Sequence, residues 1–419
     1  MSTGFPGEEP GLLAPLTGKR WSATMGQSII MIDIPDPHTR RLYFLFLLGF
    51  ATFGAVFTII GAALPHVISV FHWSYTMAGA VLAANAVGYF VSTFACGMLV
   101  QRVGPKRVLV IGLALGAVSM SLFLRWPSPW LNLGLNFCIG LCQGAIEVVT
   151  NLEVIHMERK GQSRLLNLLH AAFCIGGVVG PASVGFLLGI GRGGLGVFWA
   201  TAVVLGLMGV LFGISRFPRL HLEELAHDGG RRLVMQPLVL LTTFFLLLYV
   251  GAELGISTWI SEYFVRALRA SQFSGAIAVS IFWAGMLAGR FTLSVAYRGS
   301  RQEYVVLGLA ALSAAAIGLI LVLRSTWAVA AAVFLTGVGF SGIYPLSLAI
   351  VGRYHRTGMA VGAVTTGGGI GSFTFPFLMA VLAQTMGIRG GFWFYLGLAV
   401  VLVGIAALII RTTRRARPA

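Results

Sequence analysis

Long apolar runs separated by short polar stretches recur from about residue 41 to residue 411. Twelve can be drawn, over 41–64, 74–99, 107–125, 130–157, 164–191, 196–217, 237–264, 272–296, 302–323, 327–351, 357–386 and 390–411. Each is near or above the roughly 20 residues that an α-helix needs to cross a bilayer. They run far beyond the ~10-residue alternating segments of a β-barrel strand. The pattern predicts an all-α membrane protein with twelve transmembrane helices. The longest polar interruption, Arg216 to Gln236, follows the sixth run and divides the helices into two sets of six. The expected organisation is a disordered cytoplasmic tail over 1–38, an N-terminal six-helix half over 39–217, and a cytoplasmic central loop over 218–236. A C-terminal six-helix half over 237–411 and a cytoplasmic tail over 412–419 complete it. The N-terminal tail lacks the basic start and immediate apolar run of a signal peptide.

Composition agrees with the pattern. The chain is 57% hydrophobic and only 10% charged, against about 25% charged residues in soluble domains. Its 55 glycines suit close helix packing in a membrane. A net charge of +16 would suggest nucleic-acid binding in a soluble protein, but here the placement of the charges decides. An even number of spans puts both termini on one side. With the termini in the cytoplasm, all but six of the 29 Lys and Arg residues lie inside; Arg125, Arg192, Arg266, Arg269, Arg324 and Arg389 lie outside. That bias sets the orientation and accounts for the charge, so no nucleic-acid partner is expected. The protein is expected in the plasma (bacterial inner) membrane, as a monomer in the lipid bilayer. The cysteines, Cys96, Cys138, Cys142 and Cys174, sit in apolar runs without zinc-site spacing and are expected as packing residues.

Among the acids, only Glu147 and Glu253 lie near mid-depth, one in each half. A carboxylate there costs about 2.5–3.5 kcal/mol on insertion scales, so it faces protein or water rather than lipid. Gln143, Glu147 and Asn151 are four residues apart and share a helix face. Glu147 is a candidate proton carrier; the alternative is a static hydrogen-bond partner. Glu253 is a second proton-coupling candidate, or else a hydroxyl acceptor, a sodium ligand or a structural glutamate. Candidate substrate contacts are Asn85, Gln143, Asn151, Asn167, His170, Trp283 and Tyr344, each with a packing alternative. Trp283 offers an indole face for a sugar ring. Tyr344 shares a face with Ser341, beside the helix-loosening Pro345. Arg125, Arg290 and Arg324 read as helix-end residues, which leaves only acidic charge at mid-depth and favours a neutral or cationic solute. No His-Glu-x-x-His or nucleophile–base motif occurs, and no strand precedes Gly367-Gly368-Gly369. Neither an enzyme nor a cofactor is expected.

The halves echo each other. Gly97-Met98-Leu99-Val100-Gln101-Arg102-Val103-Gly104-Pro105-Lys106-Arg107 follows the second run, and Gly289-Arg290 stands at the corresponding place in the eighth. Arg125 and Arg324 occupy matching outer ends. Such internal repeats suggest a transporter with its site between the halves. The loop after the second run resembles the signature of the major facilitator superfamily, with Gly97, Arg102, Gly104, Lys106 and Arg107 at its gating positions. It departs from that pattern at Gln101, where an acid is usual, and at Pro105.

Four further stretches resemble the fucose–proton symporter-like branch. They are Glu147-Val148-Val149-Thr150-Asn151, Leu166-Asn167-Leu168-Leu169-His170 with Gly176, Gly177, Gly180 and Pro181, Tyr249-Val250-Gly251-Ala252-Glu253, and Gly367 to Gly371. The resemblance implies the superfamily's fold, with helices 1, 4, 7 and 10 lining a central cavity that Glu147 and Glu253 face. It also implies secondary active transport, here uptake of a small neutral solute such as a sugar coupled to protons or sodium. The branch's helix-1 acid is absent, because the place four residues before Pro65 is Gly61. The alternative is a proton-antiport exporter of drugs or metabolites. Gly176 to Pro181 partly resembles the antiporters' helix-5 pattern, but their helix-4 arginine is replaced by Gly140.

Overall fold

A computed structural model describes residues 36–158, 164–218, 235–297, 301–354 and 358–415. Most of the predicted N-terminal tail and central loop, and residues 416–419, lie outside the described residues. Among the described residues every regular element is helical. The N-terminal half holds α1 (Pro37–Phe71), α2 (Tyr75–Val103), α3 (Pro105–Leu122), α4 (Pro129–Met157), α5 (Arg164–Gly189) and α6 (Gly196–Ile214). The C-terminal half holds α7 (Pro237–Arg266), α8 (Gln272–Ala296) and α9 (Gln302–Val322). There α10 is in two pieces, Thr326–Phe340 and Ile343–Tyr354. A final helical stretch, Gly358–Arg415, contains α11 and α12.

That last stretch is 58 residues long, or about 87 Å if straight, nearly three bilayer cores. It is divided at Gly387, whose φ of 73° favours glycine. Gly391 then packs on Met379 and Ala383, so the chain folds back. Among the described residues eleven helices are long and apolar enough to span a membrane; with the fold at Gly387 they make the twelve expected crossings.

Local chemistry starts and stops the helices. Asp36, Ser74, Ser128 and Ser271 cap α1, α2, α4 and α8 through their side chains, and prolines 37, 105, 129 and 237 open α1, α3, α4 and α7. The Asp36 carboxylate accepts from the Thr39 hydroxyl at 2.6 Å and the Thr39 amide at 2.9 Å. These bonds hold its pKa below the usual aspartate value, so it is charged at neutral pH where the helix dipole favours an anion. Helix α1 is longer than its apolar run and includes residues 37–40, which the sequence reading placed in or beside the tail. Between α2 and α3, Gly104 has φ 88°, a turn that suits glycine.

Packing repeats between the halves. Helix α1 pairs with α5 as α7 pairs with α11, and α2 pairs with α4 as α8 pairs with α10. Glycines make the second pairing possible. A methyl on Gly88 would overlap the Phe137 carbonyl and one on Gly140 the Asn85 carbonyl; Gly285 and Gly337 meet the Phe334 and Phe282 carbonyls in the same way. Backbone thus lies against backbone at matched positions, as small-residue interfaces in membranes allow. Outward faces carry apolar side chains: on α6, Val203, Leu207, Val210 and Ile214 are exposed while Phe198, Leu205 and Phe212 are buried. This suits contact with lipid.

Replacing Gly140 by Val is expected to lower stability by about 1–3 kcal/mol, the usual cost of overpacking. Gly134 on the same helix has open space around it, so Gly134→Val serves as the control. Melting of both purified variants in detergent checks the difference; equal melting temperatures would remove the close-approach argument.

Candidate functional site

The hydrogen bonds between the two halves gather toward one end of the bundle. At the end away from the chain termini, the Tyr75 amide donates to Gln384 Oε1 at 2.8 Å and the Tyr75 hydroxyl to Glu262 Oε1 at 3.0 Å. Ser261 Oγ donates to the Ala62 carbonyl at 3.1 Å, and a methyl on Gly79 would strike Ala380. Along α5 and α8, Ser280 Oγ reaches the Val178 carbonyl at 2.8 Å. Further toward the termini on that line, Arg290 Nη1 donates to Cys174 Sγ at 3.5 Å. Beyond it Phe94, Met98 and Leu99 of α2 are exposed and Thr365 and Thr366 of α11 are half-buried, and nothing lies within 4 Å of where Gly97 or Gly362 would carry a side chain. The result is a central cavity of about 950 Å³, sealed at the end away from the termini and open toward the basic end that carries them.

Both mid-depth acids line this cavity, Glu147 from α4 and Glu253 from α7. The Tyr89 hydroxyl of α2 donates to Glu147 Oε2. Tyr249 and Arg290 lie within electrostatic reach of Glu253, and the Tyr249 hydroxyl donates to the Phe340 carbonyl at 2.9 Å. That carbonyl is freed by the break in α10. Arg290 Nε points at the next one, Ser341, at 3.4 Å. The break therefore has side-chain partners, which backbone at membrane depth requires.

The candidate contacts divide. Asn85, Asn151, His170, Trp283 and Tyr344 line the cavity. Gln143 does not: it is buried in helix packing with its Oε1 unpartnered. Asn167 is exposed on α5, away from the cavity lining. The shared face of Gln143, Glu147 and Asn151 spans more than one environment, because α4 faces α2 along part of its length and the cavity along another.

Trp283 is 2% exposed. Its Nε1 donates to Ser257 Oγ at 2.8 Å, and its ring centroid is 5.4 Å from that of Phe173. It supports the wall rather than offering an open face; Phe57 and Phe173, less buried, supply the accessible rings. His170 sits edge-on to Phe50 at 5.3 Å. Gly61, where the family's helix-1 acid is missing, packs so closely that a Cβ would lie 3.0 Å from Thr258 Cα. Any side chain there would press on the α7 backbone.

Arg290 corrects the sequence reading. It lines the cavity instead of sitting at a helix end, so the argument for a neutral solute from the absence of a central cation falls. The predicted gating loop is mixed. Lys106 Nζ donates to the Ser215 carbonyl at the end of α6 at 3.0 Å, while Arg102 and Arg107 are exposed.

The family model of the Major Facilitator Superfamily matches residues 45–297 and 270–419. The chain belongs to the major facilitator superfamily. It is 24% identical over 339 residues to an uncharacterized MFS-type transporter of Yersinia pestis, covering 80% of this chain and 86% of that one. It is also 24% identical over 371 residues to a glucose/galactose transporter of Brucella abortus, covering 82% and 88%. Its fold matches the inward-facing, occupied structure of a bacterial homologue of the human lysosomal transporter Spinster. There the TM-score is 0.73 at 13% identity, over 92% of this chain and 99% of the other. It also matches the Escherichia coli fucose:proton symporter FucP, with TM-score 0.60 at 17% identity over 89% and 99%. The expected fold is thereby established: an integral membrane transporter with the superfamily's helix arrangement.

The asymmetric closure makes an accessibility prediction. A cysteine introduced at Thr365 should react readily with an impermeant maleimide supplied from the basic side, whereas one at Ala78, fully buried near the sealed end, should stay protected. Rapid labelling of the Ala78 position, scored against the wild-type chain, would show that the sealed end is open in the membrane.

Proposed function

We propose that the protein takes up a small hydroxylated solute such as a sugar, coupled to protons, by alternating access. The carrying observation is that one cavity between the halves holds a carboxyl from each, Glu147 and Glu253, beside amide and aromatic side chains. A sugar needs hydrogen-bonding groups for its hydroxyls and flat apolar surfaces for its ring faces. Asn85, Asn151 and Tyr344 supply the first, and Phe57 and Phe173 the second. The glucose/galactose transporter of Brucella abortus and the fucose:proton symporter FucP support this substrate class and this coupling.

In this reading Glu147 is the proton carrier. A proton on it removes the charge that the low-dielectric cavity disfavours, and Tyr89 tethers it to α2 of the same half. The halves, 39–217 and 237–411, rock against each other about the bound solute. The basic end of the bundle faces the cytoplasm by the positive-inside bias, in the bacterial inner membrane, so the open cavity is the state that releases solute inside. Sealing of the other end by Tyr75, Glu262 and Gln384 must then be undone for solute to enter. Gly97, Arg102, Gly104, Lys106 and Arg107 form the turn that approaches the partner half when the cytoplasmic side closes.

Two variants test these roles in proteoliposomes. Glu147→Gln should lower gradient-driven accumulation by about 5–150-fold, the span of ordinary coupling energies, while solute exchange across the membrane continues. Full accumulation by that variant would rule out Glu147 as the carrier. Glu253→Gln should weaken solute affinity or alter ion dependence; if it changes neither, Glu253 is structural. The sign of proton flux on adding solute separates uptake from antiport.

A further inference from the structure

A second cleft, apart from the central cavity, lies inside the C-terminal half at the sealed end. Its volume is about 500 Å³, and Arg269, Arg324 and Arg389 line it together with Tyr263 and Leu323. Each arginine comes from a different connection: α7–α8, α9–α10 and the fold between α11 and α12. Half of the six basic residues assigned to the outer side thus converge on one place, against the charge bias of the whole chain. Like charges so gathered repel unless an anion joins them.

No acid lines the cleft. The nearest along α7, Glu262, is already engaged by Arg266 Nε at 3.1 Å and by the Tyr75 hydroxyl at 3.0 Å. Arg389 Nη2 donates to the Leu321 carbonyl at 2.7 Å, which fixes its fork. Arg269 and Arg324 have no side-chain partner among the described residues. Arg269 is held with φ 54°, a backbone conformation uncommon outside glycine. Tyr263 closes the floor through its hydroxyl bond to the Ile320 carbonyl at 2.8 Å. Two exposed indoles, Trp327 and Trp393, stand within a helical turn of Arg324 and Arg389 in sequence. Tryptophan gathers at the level of lipid headgroups.

We propose that this cleft is an oxyanion site that takes a phosphate group, the chemistry shared by an anionic phospholipid headgroup and free phosphate. Guanidinium groups bind phosphate oxygens through paired N–H donors, and three forks around one cleft exceed what solubility needs. Because the cleft borders the end of α7 that Glu262 uses to hold Tyr75, occupancy would favour the sealed outer end.

The test uses the full-length protein in neutral detergent, titrated with phosphatidylglycerol, with phosphatidylcholine, with inorganic phosphate and with potassium chloride at matched ionic strength. Native mass spectrometry and melting temperature are the readouts. Saturable binding of phosphatidylglycerol or of phosphate, beyond any effect of chloride, is expected; which of the two binds identifies the source. The double variant Arg269→Gln/Arg324→Gln should weaken that binding about tenfold or more. Arg192→Gln, an outer arginine away from the cleft, should leave it unchanged. Arg324→Gln alone provides the same comparison with less perturbation. Binding that survives both Gln variants, or equal responses to phosphate and chloride without lipid binding, overturns the site.

Discussion

Hydrocarbon does not solvate a carboxylate, and this chain carries one near mid-depth in each half. Both requirements are met in one place. Glu147 and Glu253 open onto the same cavity, the first with a hydroxyl partner in Tyr89 and the second with a guanidinium nearby in Arg290. That arrangement needs the halves to stand apart along part of their length. It also needs a wall that holds its shape while exposing polar groups, which the ring cluster of Phe53, Phe57, Phe173 and Trp283 provides.

Separation at one end is compatible with a stable fold because each half is packed within itself. Reciprocal glycine contacts between α2 and α4, and again between α8 and α10, bring backbones together without side chains between them. Contacts between the halves mix hydrogen bonds near the sealed end with ring packing around Trp283 and the Arg290–Cys174 contact on the α5–α8 line. Polar contacts near the sealed end can exchange with water, which is what the proposed rocking of the halves requires.

Arg290 links the cavity to the break in α10. Its guanidinium lies between a cysteine of the other half and a carbonyl released by that break, within electrostatic reach of Glu253. One guanidinium thus stands near both Glu253 and the break in α10. The sequence expectation of an all-acidic cavity missed this because Arg290 lies only six residues before the end of α8. From that position a long side chain can reach solvent at the helix end or turn inward along the helix, and only its neighbours choose.

The number of spans, their division into two sets, the charge asymmetry and the two mid-depth acids were all legible in the sequence. They depend on one-dimensional properties: the length of apolar runs and the cost of charge in hydrocarbon. The turn at Gly104 was marked in advance as part of a loop. Which residues share a cavity was legible only in part. Asn85, Asn151, His170 and Tyr344 reach it, but Gln143 turns into helix packing, Asn167 is exposed outside the lining and Trp283 is sunk into the wall. Tyr89, Phe57 and Phe173 carried no advance signal, since aromatic residues in an apolar run serve packing equally well. The sealed end, the tight packing of Gly61 on α7 and the meeting of three outer arginines required tertiary structure. Each depends on distances between helices far apart in the chain, and helix periodicity fixes only the face on which a residue lies, not what stands opposite.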